Sequence, residues 1–413
     1  MHEVWNAFSK RSRVTWMFES PHVVILAGGQ GLRLWPWSRS GRSKPFLPMF
    51  DGRSLIEATL ERALSLVPPE RIHLVGTRDV IRDLGPFDWI EENRARDTAP
   101  AIFEASRAIH DADPSATILV FPADHRVIDV DIFRRGMRET IDRVSENPDR
   151  FWVHGTPAIP EESFGFIVPA NDAEVSEVLR FEEKPGPHLF DDLLEKGALC
   201  NTGVFCFKAG LLLEEYRRVL SNDAQIDLPE VDDVPAISID HFLLAREDFC
   251  HRLMVRKMSH RWSDVGSWPA LRDVFRSDSE GNVLIVDPDR PGDVVPARGG
   301  DPVLLRSQAI EIDGDGSRQI LCLGINDRKV RVTRDHVWVS SGEISSTDNG
   351  LVDCANLLVF VQDDVRISIA GIRGGLVAVT EDVVLVASEE EICSGGLREV
   401  IEALSLRTIG GLD

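Results

Sequence analysis

None of the six cysteines, Cys200, Cys206, Cys250, Cys322, Cys354 and Cys393, forms a C-x-x-C pair. No cysteine–histidine cluster has zinc spacing either, so a zinc knuckle or a dithiol redox motif is excluded. Scattered buried thiols in a reducing compartment are the plain expectation. No apolar run reaches the roughly 20 residues a membrane helix needs. The segment before Pro21, with Lys10, Arg11 and Arg13 among polar neighbours, lacks the apolar stretch of a signal peptide. A cytoplasmic protein without membrane attachment is therefore expected. Positive charge is also scarce: 46 Lys and Arg against 68 Asp and Glu leave a net charge of -22. Such a chain has no general basic face for nucleic acid, although a local basic pocket for a small anion remains open. There is no serine–histidine or cysteine–histidine signature of a nucleophilic enzyme.

What the 413 residues do contain is an ordinary globular balance, 43% hydrophobic and 28% charged, enough for two domains. His22 to Ala27 is an apolar run closed by Gly28-Gly29, a buried strand feeding a loop. A helical pattern follows over Ser54–Leu66, with Leu55, Ile56, Leu60 and Leu64 on one face. Ile72–Gly76 reads as a strand, Thr98–Ile109 as a helix and Ala116–Phe121 as a third strand. This alternation predicts an α/β fold, a mixed, mostly parallel sheet with helices on both faces. After about residue 280 short Val/Ile-rich runs take over. Leu323–Ser341 and Ala370–Ser388 share G-I, then V-x-V-T-x-D-x-V-x-V, then S, at a constant offset of 47. Such duplication suggests a small β-solenoid or stacked β-sheet, with a short helix over Gly396–Leu406. The expected division is an N-terminal extension at 1–20 without order, a domain at 21–280 and a β-rich domain at 281–413, duplicated at about 318–341 and 365–388. Met17 would serve equally well as a start.

The densest chemistry lies in Leu26-Ala27-Gly28-Gly29-Gln30-Gly31-Leu32-Arg33, with Lys44-Pro45 shortly after. Glycines after a strand let backbone N–H groups approach phosphate oxygens, and Arg33 and Lys44 add permanent charge. The spacing is neither that of a dinucleotide fingerprint nor that of a P-loop. Glycines alone would mark no more than a turn; strand, glycines, arginine and lysine in one short stretch say more.

This stretch resembles the signature of sugar nucleotide pyrophosphorylases, and within them the mannose-1-phosphate guanylyltransferases. Further resemblances follow in the family's order: Arg96-Asp97-Thr98-Ala99-Pro100-Ala101-Ile102, Phe121-Pro122-Ala123-Asp124-His125, and Phe164-Gly165-Phe166-Ile167. After them come Phe181-Glu182-Glu183-Lys184-Pro185, Asn201-Thr202-Gly203-Val204-Phe205, and Trp262-Ser263-Asp264-Val265-Gly266-Ser267-Trp268. The chain departs from the pattern at Ser43, Asn93, Asp97, Phe164 and Phe166. Asp97 stands where the family has asparagine, which trades a donor for a charge. If that position meets the base, preference for GTP could shift.

The resemblance implies a Rossmann-like α/β catalytic domain that transfers a nucleotidyl group from GTP to mannose 1-phosphate. Its implied assembly is a homo-oligomer, a dimer first. A phosphate monoester is already ionised near neutrality, its second pKa being about 6, so no general base is needed. Positioning and cationic stabilisation carry the rate. The implied nucleotide residues are Leu26, Ala27, Gly28, Gly29, Gly31, Asp97 and Thr98, with Arg33 and Lys44 on the departing phosphates. Asp124 and Asp264 are the implied ligands of one Mg²⁺. Lys184 would meet the sugar phosphate, and Glu183, Asn201 and the Gly165 backbone the sugar hydroxyls. Each has a plain competitor: Asp124 a turn, Lys184 a solvated surface, Asp97 and Thr98 a helix cap. Trp262 and Trp268 read as packing anchors, and His125 as structural. Two other readings stay open: the same chemistry with another nucleotide or sugar, and a silent subunit that senses sugar nucleotides. Retention of Arg33, Lys44, Asp124, Lys184 and Asp264 argues against silence.

Overall fold

The computed structural model describes residues 21–28, 32–39, 42–50, 52–77, 87–159, 163–221, 228–287, 303–305, 307–314, 318–323, 325–333, 336–341, 350–352, 354–362, 365–380 and 383–394. The expected N-terminal extension (1–20), Gly29, Gly31 and the helix at 396–406 lie outside them. The chain forms two compact units. The first comprises residues up to 29 and 55–262, the second 30–54 and 263–413. Segment 30–54 folds with the C-terminal part because its aromatic rings pack there. Trp37 lies 4.7 Å from Phe360 and 6.2 Å from Trp268, and Phe50 lies 5.2 Å from Phe275, between ring centroids.

The first unit is built on a nine-stranded sheet. In chain order its strands are β1 (His22–Leu26), β2 (Ile72–Thr77), β3 (Asp88–Glu92), β4 (Thr117–Pro122), β5 (Phe151–Pro157), β6 (Gly165–Pro169), β7 (Val175–Glu183), β8 (Leu199–Lys208) and β9 (Leu253–Lys257). Their spatial order is β3-β2-β1-β4-β8-β5-β9-β7-β6. The run β3-β2-β1-β4 is parallel, as the strand–helix alternation predicts. Beyond it β8 runs antiparallel to both β4 and β5, and β7 antiparallel to β9 and β6. The sheet is therefore mixed, as expected, while the expectation that it is mostly parallel holds for one half alone.

Side chains that alternate along each strand feed two cores. Val24, Ile118, Val120, Phe205 and Phe207 face helices α2 (Thr98–Ala112) and α4 (Ala209–Leu220), where Ile102, Phe103, Leu212 and Tyr216 fill one cluster. On the opposite face Phe121 meets Phe133 of α3 (Val130–Glu146) edge to face at 5.4 Å. Helix α1 (Leu55–Leu64) buries Leu55, Ile56, Thr59, Leu60 and Ala63 at helical spacing.

The second unit is β-rich. One of its sheets orders 283–287, 358–362, 376–379, 383–387, 319–323 and 303–305; the other orders 308–314, 326–333, 336–340, 366–370 and 350–352. Each sheet holds an antiparallel hairpin in the same register. Val330 faces Val339 in one and Val377 faces Val386 in the other, at the offset of the sequence repeat. Each copy also pairs strands in parallel at an equal separation along the chain, Val303 with Leu321 and Gly350 with Ser368. Strand 319–323 of the first copy pairs with 383–387 of the second, while 336–340 of the first pairs with 366–370 of the second. The copies thus exchange strands around a shared apolar core that includes Val330, Val339, Val377 and Val386.

Candidate active site

In the first unit Leu26, Ala27, Gly28, Asp97, Thr98 and Asp124 lie at or beyond the carboxyl ends of the parallel strands β1, β3 and β4, the edge where open α/β sheets bind ligands. Leu26, Ala27 and Gly28 continue β1. Ala27 N–H donates to Val75 O (2.8 Å), and Ala123 N–H donates to Leu26 O (3.1 Å), which fastens the strand end before Gly28 to its neighbours on both sides. Asp97 takes a positive φ of 70° and caps α2, its Oδ1 accepting from Thr98 N–H at 2.7 Å. The Thr98 hydroxyl accepts in turn from Ile239 N–H at 2.9 Å. Both side chains therefore serve the backbone here, Asp97 in the capping role the sequence left open.

Asp124 follows β4 with its side chain one-third exposed, its Oδ1 3.8 Å from His125 Nε2. The backbone on either side of it is held from α1. The Thr59 hydroxyl reaches Ala123 O (3.4 Å), and Arg62 Nη2 donates to His125 O (3.2 Å) and to Thr59 Oγ1 (2.6 Å). Trp262 Nε1–H donates to His125 Nδ1 at 3.2 Å, which leaves the histidine proton on Nε2, facing Asp124. Burial pushes the Arg62 guanidinium down to about 9 and, near it, the His260 imidazole down to about 4. Trp262 and His125 thus do structural work at this loop.

The sugar-phosphate candidates also meet. A Cβ on Gly165 would lie 2.6 Å from Glu183 Oε2, so a glycine there is what admits the Glu183 carboxylate. Glu183 Oε1 pairs with Lys184 Nζ at 2.9 Å, the glutamate nearly buried and the lysine half-exposed. Asn201 Nδ2 donates to Asp240 Oδ1 at 2.7 Å, and its Oδ1 accepts from Gly203 N–H. Burial, with the nearby charge of Glu183, drives the Asp240 carboxyl up to about 7. Asp240 opens a single π-turn (Asp240–Leu244), a local distortion common at functional sites. The sequence reasoning missed it: an aspartate after Ser238-Ile239 looks like a helix cap, and its buried partners come from residues 183 and 201.

The second unit carries Arg33, Lys44 and Asp264. Arg33 is exposed in the turn Leu32–Leu34. Lys44 is buried and its Nζ donates to the Asp264 carbonyl. Asp264 Oδ1 accepts from Gly266 N–H at 2.9 Å, and a Cβ at Gly266 would lie 2.2 Å from its Oδ2, so the turn needs that glycine. Trp268 is fully buried, its Nε1–H donating to Trp35 O at 3.0 Å, which is an anchor's role.

No group of three or more His, Cys, Asp or Glu side chains suited to a metal occurs among the described residues. A partly exposed aspartate at a strand end, without competing soft ligands, fits an ion held by one or two carboxylates and substrate phosphates, the habit of Mg²⁺.

A family model for nucleotidyl transferases matches residues 22–281. The chain belongs to the nucleotidyl transferase family. It is an enzyme, a sugar nucleotidyltransferase with an α/β fold and a β-rich C-terminal region. Among relatives, the Salmonella typhimurium protein named mannose-1-phosphate guanylyltransferase ManC is 29% identical over 356 residues, covering 77% of this chain and 70% of its own. The alginate biosynthesis protein AlgA of Pseudomonas syringae is 28% identical over 348 residues, covering 77% of this chain and 68% of its own. A crystal structure from Thermus thermophilus, described as a mannose-1-phosphate geranyltransferase, is 26% identical with a TM-score of 0.69, covering 94% of this chain and all of that one. No helix among the described residues of the nucleotidyl transferase is long and apolar enough to cross a membrane.

Proposed function

We propose that this nucleotidyl transferase joins GTP to mannose 1-phosphate, giving GDP-mannose and pyrophosphate with Mg²⁺ as cofactor. The observation that carries the reading is the cluster of Glu183, Asn201 and Asp240 beside Lys184. Carboxylates and an amide are the groups that bind sugar hydroxyls, and a lysine next to them suits the phosphate on the same sugar. The name of the Salmonella typhimurium relative, mannose-1-phosphate guanylyltransferase ManC, supports this choice of sugar and base.

In this reading a sugar-phosphate oxygen attacks the α-phosphorus in line while pyrophosphate leaves. Lys184 holds the attacking phosphate; Glu183, Asn201, Asp240 and the Gly165 backbone orient the ring. Leu26, Ala27, Gly28, Gly29 and Gly31 offer backbone to the nucleotide, with Asp97 and Thr98 fixing the nearby helix start. Arg33 and Lys44 offset the charge of the departing phosphates. Asp124 and Asp264 are the proposed Mg²⁺ ligands, and the ion supplies charge neutralisation on the phosphates. The β-rich part is read as a solenoid-like stack, from the parallel strand pairs repeated in its two copies, that supports a homodimer. The cytoplasm is the proposed location.

Pyrophosphate release with mannose 1-phosphate and GTP, ATP, UTP or CTP in turn tests the proposal. Selective release with GTP supports it. Release with another nucleotide keeps the chemistry and moves the specificity, and silence with every sugar 1-phosphate sinks it.

A further inference from the structure

Strand β8 does not pair evenly with β5. Asn201 faces Gly155 and Phe205 faces Val153, so Thr202, Gly203 and Val204 stand opposite His154 alone. Such a bulge leaves ladder groups without strand partners and re-aims the side chains beside it. His154 supplies partners on both flanks. Its carbonyl accepts from the Thr202 hydroxyl at 2.8 Å, and its ring Nδ1 donates to Val204 O at 2.9 Å. A carbonyl only accepts, so the ring proton sits on Nδ1, and Nε2 lies 3.1 Å from Thr140 Oγ1 of α3. His154 is 1% exposed, and burial pushes its imidazole down to about 4, so the ring is neutral at pH 7 and keeps this tautomer.

The bulge has candidate site residues on both sides. Within it Gly203 takes a positive φ of 67°, and a Cβ there would lie 3.1 Å from Pro122 Cγ, on the strand end that leads to Asp124. Gly203 N–H donates to Asn201 Oδ1 at 3.2 Å, while Asn201 Nδ2 donates to Asp240 Oδ1 at 2.7 Å. Among the described residues these two bonds fix the amide plane of Asn201 and leave one N–H and one lone pair for a ligand. We propose that His154 is a positioning residue for the sugar phosphate: it fixes the bulge through Thr202 and Val204, and the bulge fixes the direction of the Asn201 amide. The inference rests on the reading of Asn201 as a sugar ligand above. It adds the residue that aims that ligand, one that stands in no motif quoted from the sequence.

The test measures pyrophosphate release with Mg²⁺ and the nucleotide and sugar 1-phosphate that wild type turns over best, varying one substrate at a time. His154→Leu keeps an apolar filling without a donor. It should raise KM for the sugar phosphate about 10-fold, the scale of one misaimed hydrogen bond, with KM for the nucleotide within about 2-fold of wild type. His154→Asn, whose amide N–H can take the place of Nδ1–H, should bring the sugar-phosphate KM back to within about 3-fold of wild type. Thr202→Val, nearly isosteric, removes the bond on the other flank and should raise the same KM by about 3- to 10-fold. A residue that merely stabilised the fold would lower the active fraction, and so kcat, and move neither KM. An unchanged sugar-phosphate KM in His154→Leu, an equal rise for both substrates, or no rescue by asparagine overturns the assignment while the activity itself stands. If His154→Leu does not fold, Thr202→Val decides, and a wild-type sugar-phosphate KM there overturns the assignment. A wild type that prefers another sugar fails the mannose reading alone, since the variants are then measured on that sugar. Silence of wild type with every sugar 1-phosphate removes both.

Discussion

Replacing Arg62 with methionine should separate stability from activity. Arg62 is 4% exposed and makes two bonds, to Thr59 Oγ1 at 2.6 Å and to His125 O at 3.2 Å. Charge-assisted bonds of this kind contribute about 1.5 to 3 kcal/mol each. Against them stands desolvation, which lowers the guanidinium from 12.5 to about 9, a cost on the order of 5 kcal/mol. The two terms nearly cancel, and methionine keeps most of the packing volume. Arg62→Met is therefore expected within about 2 kcal/mol of wild type in urea unfolding. Activity should not be spared, because His125 O loses its tether beside Asp124. We expect kcat to fall about 10-fold, with a higher Mg²⁺ concentration for half-maximal rate, the scale of losing an orienting contact behind a metal ligand. Binding of Mn²⁺ followed by electron paramagnetic resonance should weaken in parallel. A variant destabilised by more than about 4 kcal/mol, or one with wild-type turnover and wild-type metal dependence, would refute this reasoning.

Asp124→Ala should lower turnover by about 10²-fold or more at unchanged stability; full activity removes the metal assignment. Gly165→Ala drives a methyl group into Glu183 and should raise KM for the sugar phosphate by about 10-fold while leaving KM for GTP alone. Asp240 has a folded-state pKa raised to about 7 from 3.8, so its contribution to stability is full below about 4 and lost as pH rises through 7. Asp240→Asn should therefore gain over wild type in urea midpoint at pH 8, and much less at pH 5. A gain that is the same at both would show that Asp240 is not held neutral. Cutting the chain near residue 280 should expose Trp37 by removing Phe360, and the product is expected to aggregate; a well-behaved monomer would contradict the packing of segment 30–54.

The local elements of the first half were legible because each buries an apolar face of its own. The strands at 22–26, 72–77 and 117–122 and the helix at 98–112 fall within a few residues of the hydrophobic pattern. The antiparallel half of the sheet was not legible, since Val175–Glu183 and Leu199–Lys208 carry no local mark of which neighbour they pair with. Segment 30–54 read as a loop continuing from the first strand, while its place in the second unit depends on Trp37 meeting the ring of Phe360, far along the chain. The site was half visible. Glu183, Lys184 and Asn201 were singled out through motif resemblance, and the structure sets Glu183 against Lys184 and Asn201 against Asp240. Asp240 was missed because it stands in no motif quoted from the sequence. What marks it is its place against Asn201 and near the Glu183 carboxylate, a property of the folded chain.

The central claim is nucleotidyl transfer from GTP to mannose 1-phosphate, and tracing the α-phosphorus tests it most directly. With GTP labelled at the α-position, mannose 1-phosphate and Mg²⁺, the label should appear in GDP-mannose, with unlabelled pyrophosphate released in equal amount. Label that stays in GTP, or passes to GMP without any nucleotide sugar, would contradict the account.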